Sequence, residues 1–171
     1  MLEYGINNLV ERAAVVLGIE NGVAKGDVVI AKGGTPMIIE MAARLSGGDF
    51  SESLIPLGCG VNVVKTAIQI ATGREPDVAE LSDKWVKAVA NRYFFGSPGK
   101  LVAIDGLEQA RALPWVRKLE VYVKPGDMIG QIKFHAGRLG VFIVVADSRD
   151  ELQERIRTIY DLIRFNIADS D

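Results

Sequence analysis

The sequence predicts an α+β fold: an antiparallel sheet with packed helices, followed by a small α+β C-terminal domain. Three observations predict it. Apolar residues recur at helical spacing before Gly18. Two strand-like runs flank Lys32-Gly33-Gly34-Thr35. Beyond a polar stretch near 74–84, short strands lead to a last amphipathic helix.

The elements follow in order. Leu9, Val10, Ala13, Ala14 and Leu17 share one helical face, so Ile6–Leu17 reads as a helix that Gly18 stops. Val23–Ala31 reads as a strand, Lys32–Thr35 as a hairpin turn and Pro36–Met41 as the returning strand. The unbroken apolar run in that second strand implies burial on both faces. Ala42–Glu52 reads as a loop. Val61, Val64, Ala67, Ile68 and Ala71 mark a helix over Gly60–Thr72, ended by Gly73 with Pro76 beyond. Composition then turns polar, which divides the chain into residues 1–76 and 77–171, with the boundary stretch near 74–84. In the second part strands are expected at Val86–Phe95, Lys100–Ile104, Leu119–Val123 and Leu139–Ala146. A short helix is expected at Leu107–Leu113. A longer one, over Ser148–Phe165, carries Asp150, Glu151 and Glu154 in its early turns, where they complement the helix dipole.

Composition narrows the function. A net charge of −2 over 171 residues gives no field that would recruit nucleic acid or an anionic membrane. The apolar stretches, such as Val141–Ala146, are too short to span a bilayer. The start of the chain has no basic and apolar leader pattern. A single cysteine, Cys59, excludes an internal disulfide framework and fits a reducing cytoplasm. A single histidine, His135, argues against a histidine-based metal site or a Ser-His-Asp triad. Cys59 reads as a small buried residue and His135 as a packing or surface residue. Trp85, Tyr93, Phe94 and Phe95 read as aromatics packed between two lobes.

The chemistry concentrates in Met37–Gly48. Glu40 lies near the end of the second hairpin strand, Arg44 follows four residues later, and Ser46-Gly47-Gly48 comes next. Antiparallel pairing brings Asp27, on the first strand, beside Glu40. Two carboxylates at that distance repel unless a cation lies between them. Mg²⁺ favours carboxylate oxygens shared with substrate phosphates. A guanidinium at Arg44 can neutralise a phosphoryl group. The same residues also fit a plain surface hairpin with ordinary charges.

At these positions the chain resembles the ATP-grasp superfamily, nearest to the L-amino-acid ligases and carbamoyl-phosphate-synthase-like carboxylate–amine ligases. The residues that carry the resemblance are Leu17–Val23, Ile38–Gly48, Leu57–Asn62, Ala71–Pro76 and Arg138–Ile143. It implies that residues 1–76 are the C-terminal part of the catalytic domain, a partial ATP-grasp lobe, and residues 77–171 the small C-terminal domain. It implies Mg²⁺ and ATP as cofactors of the complete enzyme, with small-molecule carboxylate and amine substrates joined through an acyl phosphate. Asp27 and Glu40 then occupy the metal-binding carboxylate positions. Arg44 takes the place of the arginine that steadies the transferring phosphoryl group, and Ser46, Gly47 and Gly48 form the loop beside the acyl phosphate. Ala42 stands where many members place a metal-binding asparagine, so one ligand atom is lost.

The adenine pocket and phosphate-holding lysines of that superfamily have no counterpart in these residues. The chain is therefore expected to be inactive alone and to depend on an N-terminal ATP-binding half or a partner chain. Two other functions fit. One is a non-catalytic module that binds a small ligand or partner through Gly47-Gly48. The other is a structural subunit that completes a separate ATP-binding chain. In the last case the apolar faces of Ile6–Leu17 and Val28–Ile30 would be exposed, unless a homodimer covers them.

Overall fold

The computed structural model describes residues 2–168, with side chains from residue 5 onward. Two compact units emerge. The first runs to Pro56 and resumes over Gly60–Lys84, and the second comprises Leu57–Cys59 and the chain from Trp85.

In the first unit, helix α1 (Leu2–Val16) precedes strand β1 (Lys25–Ile30) and strand β2 (Pro36–Ala42), which pair antiparallel. The turn between them places Gly33 and Gly34 at φ 101° and 85°, a left-handed conformation that glycine adopts without a Cβ clash. Helix α1 packs on the hairpin at Gly26. A Cβ there would stand 2.9 Å from Val10 Cγ2 and 3.1 Å from Met41 Sδ, so the close approach requires glycine.

The expectation that β2 is buried on both faces is overturned. Met37 is 55% exposed and Ile39 67% exposed. Helix α1 covers one face of a two-stranded sheet, and the apolar residues of the other face remain in contact with solvent. Val29 and Ile30 on β1 are exposed as well, and so are Val15, Val16 and Leu17 at the end of α1.

The loop expected over Ala42–Glu52 is shorter than that range. β2 continues to Ala42, and a π-helical turn begins at Phe50 and runs to Leu54. Helix α2 (Ile55–Cys59) follows directly and stops at Gly60, whose φ of 81° ends the turn. Helix α3 (Val63–Ala71) starts three residues later than its apolar spacing suggests. The Asn62 side chain accepts a hydrogen bond from the Lys65 backbone N–H and so fixes the start.

The second unit contains two three-stranded sheets. One has the order β3 (Ala88–Phe94), β7 (Gly140–Ala146), β5 (Val116–Val121), and all its pairings are antiparallel. The other has the order β6 (Met128–Ile129), β4 (Gly99–Asp105), β8 (Arg164–Ala168). Helix α4 (Leu107–Arg111) leads into β5, and helix α5 (Arg149–Leu162) packs on β7 and β3.

Strand β8 was not expected. Helical spacing carries the eye through to Phe165, yet α5 ends at Leu162 and the chain turns at Ile163 to pair with β4. Along β8, Phe165 and Ile167 are partly buried while Arg164, Asn166 and Ala168 are exposed. That alternation belongs to a strand, and five residues of it are outweighed by the longer helical pattern before them. The start of α5 is as expected. The Ser148 hydroxyl accepts from the Glu151 N–H, and the Glu151 carboxylate accepts from the Asp147 N–H.

The core of this unit centres on β7, whose Val141, Phe142, Ile143 and Val144 are fully buried. The Phe142 ring lies 5.1 Å from that of Phe94 and 5.2 Å from that of Tyr160, centroid to centroid. The Tyr160 hydroxyl donates to the Tyr93 carbonyl, and burial raises its pKa. Gly106, at φ 80°, lies against the backbone where α5 ends. A Cβ there would fall 1.9 Å from the Leu162 carbonyl oxygen.

Truncating Phe142 to alanine is expected to lower stability by about 3–5 kcal/mol, read from the urea-unfolding midpoint. Gly106→Ala should cost more than about 1 kcal/mol in the same measurement, because the backbone conformation and the carbonyl both reject a methyl group.

Candidate functional site

The site is built on the β1–β2 hairpin. Asp27 and Glu40 are direct cross-strand partners. The next pair along the ladder is Val28 with Ile38, so Ile39 is an extra residue in β2. This bulge decides which way Glu40 faces. With regular alternation from Ile38, Glu40 would turn toward α1 and Met41 away from it. The extra residue reverses that parity. Met41 reaches the α1 side beside Gly26 and Val10, and Glu40 stands on the open face with Asp27.

A third side chain completes the group. The Lys25 ammonium lies 2.6 Å from Asp27 Oδ2 and 3.6 Å from Glu40 Oε1. Its side chain is 23% exposed, against 49% and 55% for the two carboxylates. The hydrogen bond to Asp27, chiefly, and the negative charges of Asp27 and Glu40 raise the Lys25 pKa; partial desolvation and the Arg44 charge oppose the rise. The carboxylate pair is thus bridged by a cation supplied by the chain itself. Lys25 was missed from sequence. The signal was present, since a lysine two positions before Asp27 on one strand must share its face.

Arg44 follows the end of β2 in a bend. It is exposed, and its Nη1 donates to the Leu45 carbonyl at 3.0 Å. It borders a cleft of ≈ 330 Å³ together with Asn21, Gly22, Val23, Ala67 and Ile70. Ser46 is partly buried, and Gly47 and Gly48 are exposed in the turn after it. Gly48 and Asp49 have φ of 66° and 69°, and the Asp49 carbonyl accepts from the Ser53 and Leu54 N–H groups, closing the π-helical turn. Ala42 pairs with Lys25 at the end of the ladder and contributes no donor atom.

The remaining chemically suggestive residues lie elsewhere. Cys59 is partly buried at the end of α2, and His135 is exposed in a 3₁₀ turn. Trp85 Nε1 donates to the Leu57 carbonyl, and Phe94 belongs to the core of the second unit. Among the described residues no three His, Cys, Asp or Glu side chains gather as a metal site, and no helix is long and apolar enough to cross a membrane. Asp27 and Glu40, the carboxylates expected to hold a divalent cation, lie side by side and match such an ion in donor type, with the Lys25 ammonium against their oxygens.

Known proteins can be set beside this geometry. Residues 92–168 match the family model of L-amino acid ligase C-terminal domain 2. A phosphoribosylglycinamide synthetase from Anaerococcus prevotii superposes with a TM-score of 0.84 at 19% identity, over 98% of this chain and 42% of that one. An L-amino acid ligase from Bacillus licheniformis gives 0.79 at 23% identity, over 98% and 41%. An N5-carboxyaminoimidazole ribonucleotide synthetase from Thermotoga maritima gives 0.59 at 18%, over 92% and 41%. An uncharacterized protein of Sinorhizobium fredii, y4rH, is 28% identical over 133 residues, which is 78% of this chain and 27% of that protein. The chain thus spans about two-fifths of the solved relatives and about a quarter of the curated one.

The bridging contact has a measurable signature. Lys25 is expected to stay protonated above the ordinary lysine range. Any stability it contributes is then complete through neutral pH and is lost only as pH rises through the raised value. Asp27→Asn should bring the Lys25 titration down toward the ordinary value, followed by NMR of its side-chain ammonium or Cε. An unchanged titration would mean that the pair does not form in solution.

Proposed function

We infer that this chain, whose fold over the portion it spans is that of ATP-grasp ligases, supplies one wall of the active site of an ATP-dependent carboxylate–amine ligase. The observation that supports this most is the cross-strand pair Asp27–Glu40 with a cation between its oxygens, on the fold of enzymes that work on ATP. In this reading residues 1–76 end the catalytic domain and residues 77–171 hold the small α+β domain.

The reaction has two displacements. A substrate carboxylate oxygen attacks the γ-phosphorus of ATP, the bond to the bridging oxygen breaks, and ADP leaves. The nitrogen of an amine then attacks the acyl carbon. Phosphate departs with the C–O electron pair, and the amine gives up a proton. Both steps build charge on phosphate oxygens, so catalysis rests on positioning and neutralisation. Asp27 and Glu40 would hold Mg²⁺, which supplies part of that neutralisation when bound. The Arg44 guanidinium, now donating to the Leu45 carbonyl, would turn to the transferring phosphoryl group and offer it paired N–H donors. The backbone N–H groups of Ser46, Gly47 and Gly48 lie next in sequence, with no Cβ at the glycines to block an acyl phosphate.

The adenine and the α- and β-phosphates are held by an ATP-binding half, on this polypeptide or on a partner. The exposed apolar residues Val29, Met37 and Ile39 favour such a cover, because a continued ATP-binding lobe would shield them from water.

The test is ADP release by a coupled assay with candidate amino acids. The 171 residues alone are expected to show no metal-dependent turnover. Metal-dependent turnover by them alone would refute the assignment of the ATP-holding groups to another segment. In the protein that includes the ATP-binding half, Arg44→Ala should lower kcat on the order of 10²–10³-fold. A rate unchanged by that substitution would remove Arg44 from the mechanism.

A further inference from the structure

We propose that Lys25 is a gatekeeping counter-cation: it keeps free divalent metal out of the Asp27–Glu40 pair and gives way when the metal arrives with a polyphosphate. This rests on the reading of Asp27 and Glu40 as the metal-binding carboxylates.

The argument begins with geometry. Asp27 and Glu40 are held opposite each other by strand register, and the bulge turns Glu40 to the open face that Asp27 occupies. Their mutual repulsion is relieved by the Lys25 ammonium, at 2.6 Å from one and 3.6 Å from the other. Lys25 shares their face because it lies two positions before Asp27 on the same strand. A metal ion and this ammonium therefore compete for the same oxygens.

A free divalent ion that enters must displace Lys25. The displaced ammonium loses a charge-assisted hydrogen bond and stays close to both the metal and Arg44. Arg44 is near enough for its charge to act on Lys25. Nothing in the hairpin offers that ammonium a second carboxylate. A polyphosphate changes the balance. Its oxygens accept the Lys25 hydrogen bonds, so the lysine moves from carboxylate to phosphate while the metal takes the carboxylates. The donor set is thin, because Ala42 adds no ligand. Two carboxylates alone hold a small cation weakly unless phosphate completes its shell. Lys25 sharpens that weakness into a requirement for phosphate, so the site engages metal and nucleotide together.

The test uses Mn²⁺ as the probe on the full chain, with free Mn²⁺ followed by electron paramagnetic resonance and folding checked by circular dichroism. Lys25→Met is expected to bind Mn²⁺ about tenfold more tightly than the wild type or better. Lys25→Arg should keep the weak binding of the wild type. The double variant Asp27→Asn/Lys25→Met should lose the gain, which places it at the carboxylate pair. Added tripolyphosphate should raise Mn²⁺ retention more in the wild type than in Lys25→Met. Equal Mn²⁺ affinity in the wild type and Lys25→Met, lost in Asp27→Asn, overturns the gatekeeping role and leaves the carboxylate site standing. No Mn²⁺ retained by folded Lys25→Met overturns the carboxylate site itself, and the gatekeeping role with it.

Discussion

The candidate site depends on one extra residue in a strand. Without the bulge at Ile39, period-two alternation would turn Glu40 toward helix α1 and leave Asp27 alone on the open face. With it, the packing side keeps Val10, Gly26 and Met41 in contact, and the open side gains two carboxylates and a lysine. Packing and chemistry are thereby separated onto opposite faces of two strands. Gly26 is the other half of the arrangement, because its missing side chain lets α1 lie close against the strand that carries Lys25 and Asp27.

The two units differ in how they are held. The second has a full core around β7, with a cluster of aromatic rings and an aliphatic face of α5 on Leu152, Ile156 and Ile159. Burial of that kind contributes about 1.5–3 kcal/mol per large side chain and dominates any surface ion pair. Among the described residues of the first unit, Val61 is the one buried large apolar side chain, and several others on the hairpin face water. Helix α1 packs against one sheet face, and the candidate site lies on the other.

Much of this was legible in the sequence. The hairpin, its Gly33-Gly34 turn, the nearness of Asp27 and Glu40 across it and the strand at Gly140–Ala146 follow from apolar pattern and turn chemistry, while the direct pairing of Asp27 with Glu40 needs the bulge. Where reading and structure part, the reasons are physical. An apolar run such as Met37–Ile39 reports what could be buried, and burial depends on elements that the run does not contain. Strand β8 is short and follows a long helical pattern without a glycine or proline to mark the change. The bulge leaves no mark in composition, so the facing of Glu40 follows only from the register. The place of Lys25 is legible by contrast, because alternation along β1 puts it on the face of Asp27.

A site set by parity is governed by length more than by identity. Exchanging isoleucine for another residue at position 39 leaves the count of residues between turn and carboxylate unchanged, and the wall keeps its facing. Removing that one residue would turn the carboxylate inward even if every other side chain were retained. The backbone therefore constrains the number of residues from turn to acid more tightly than it constrains their composition.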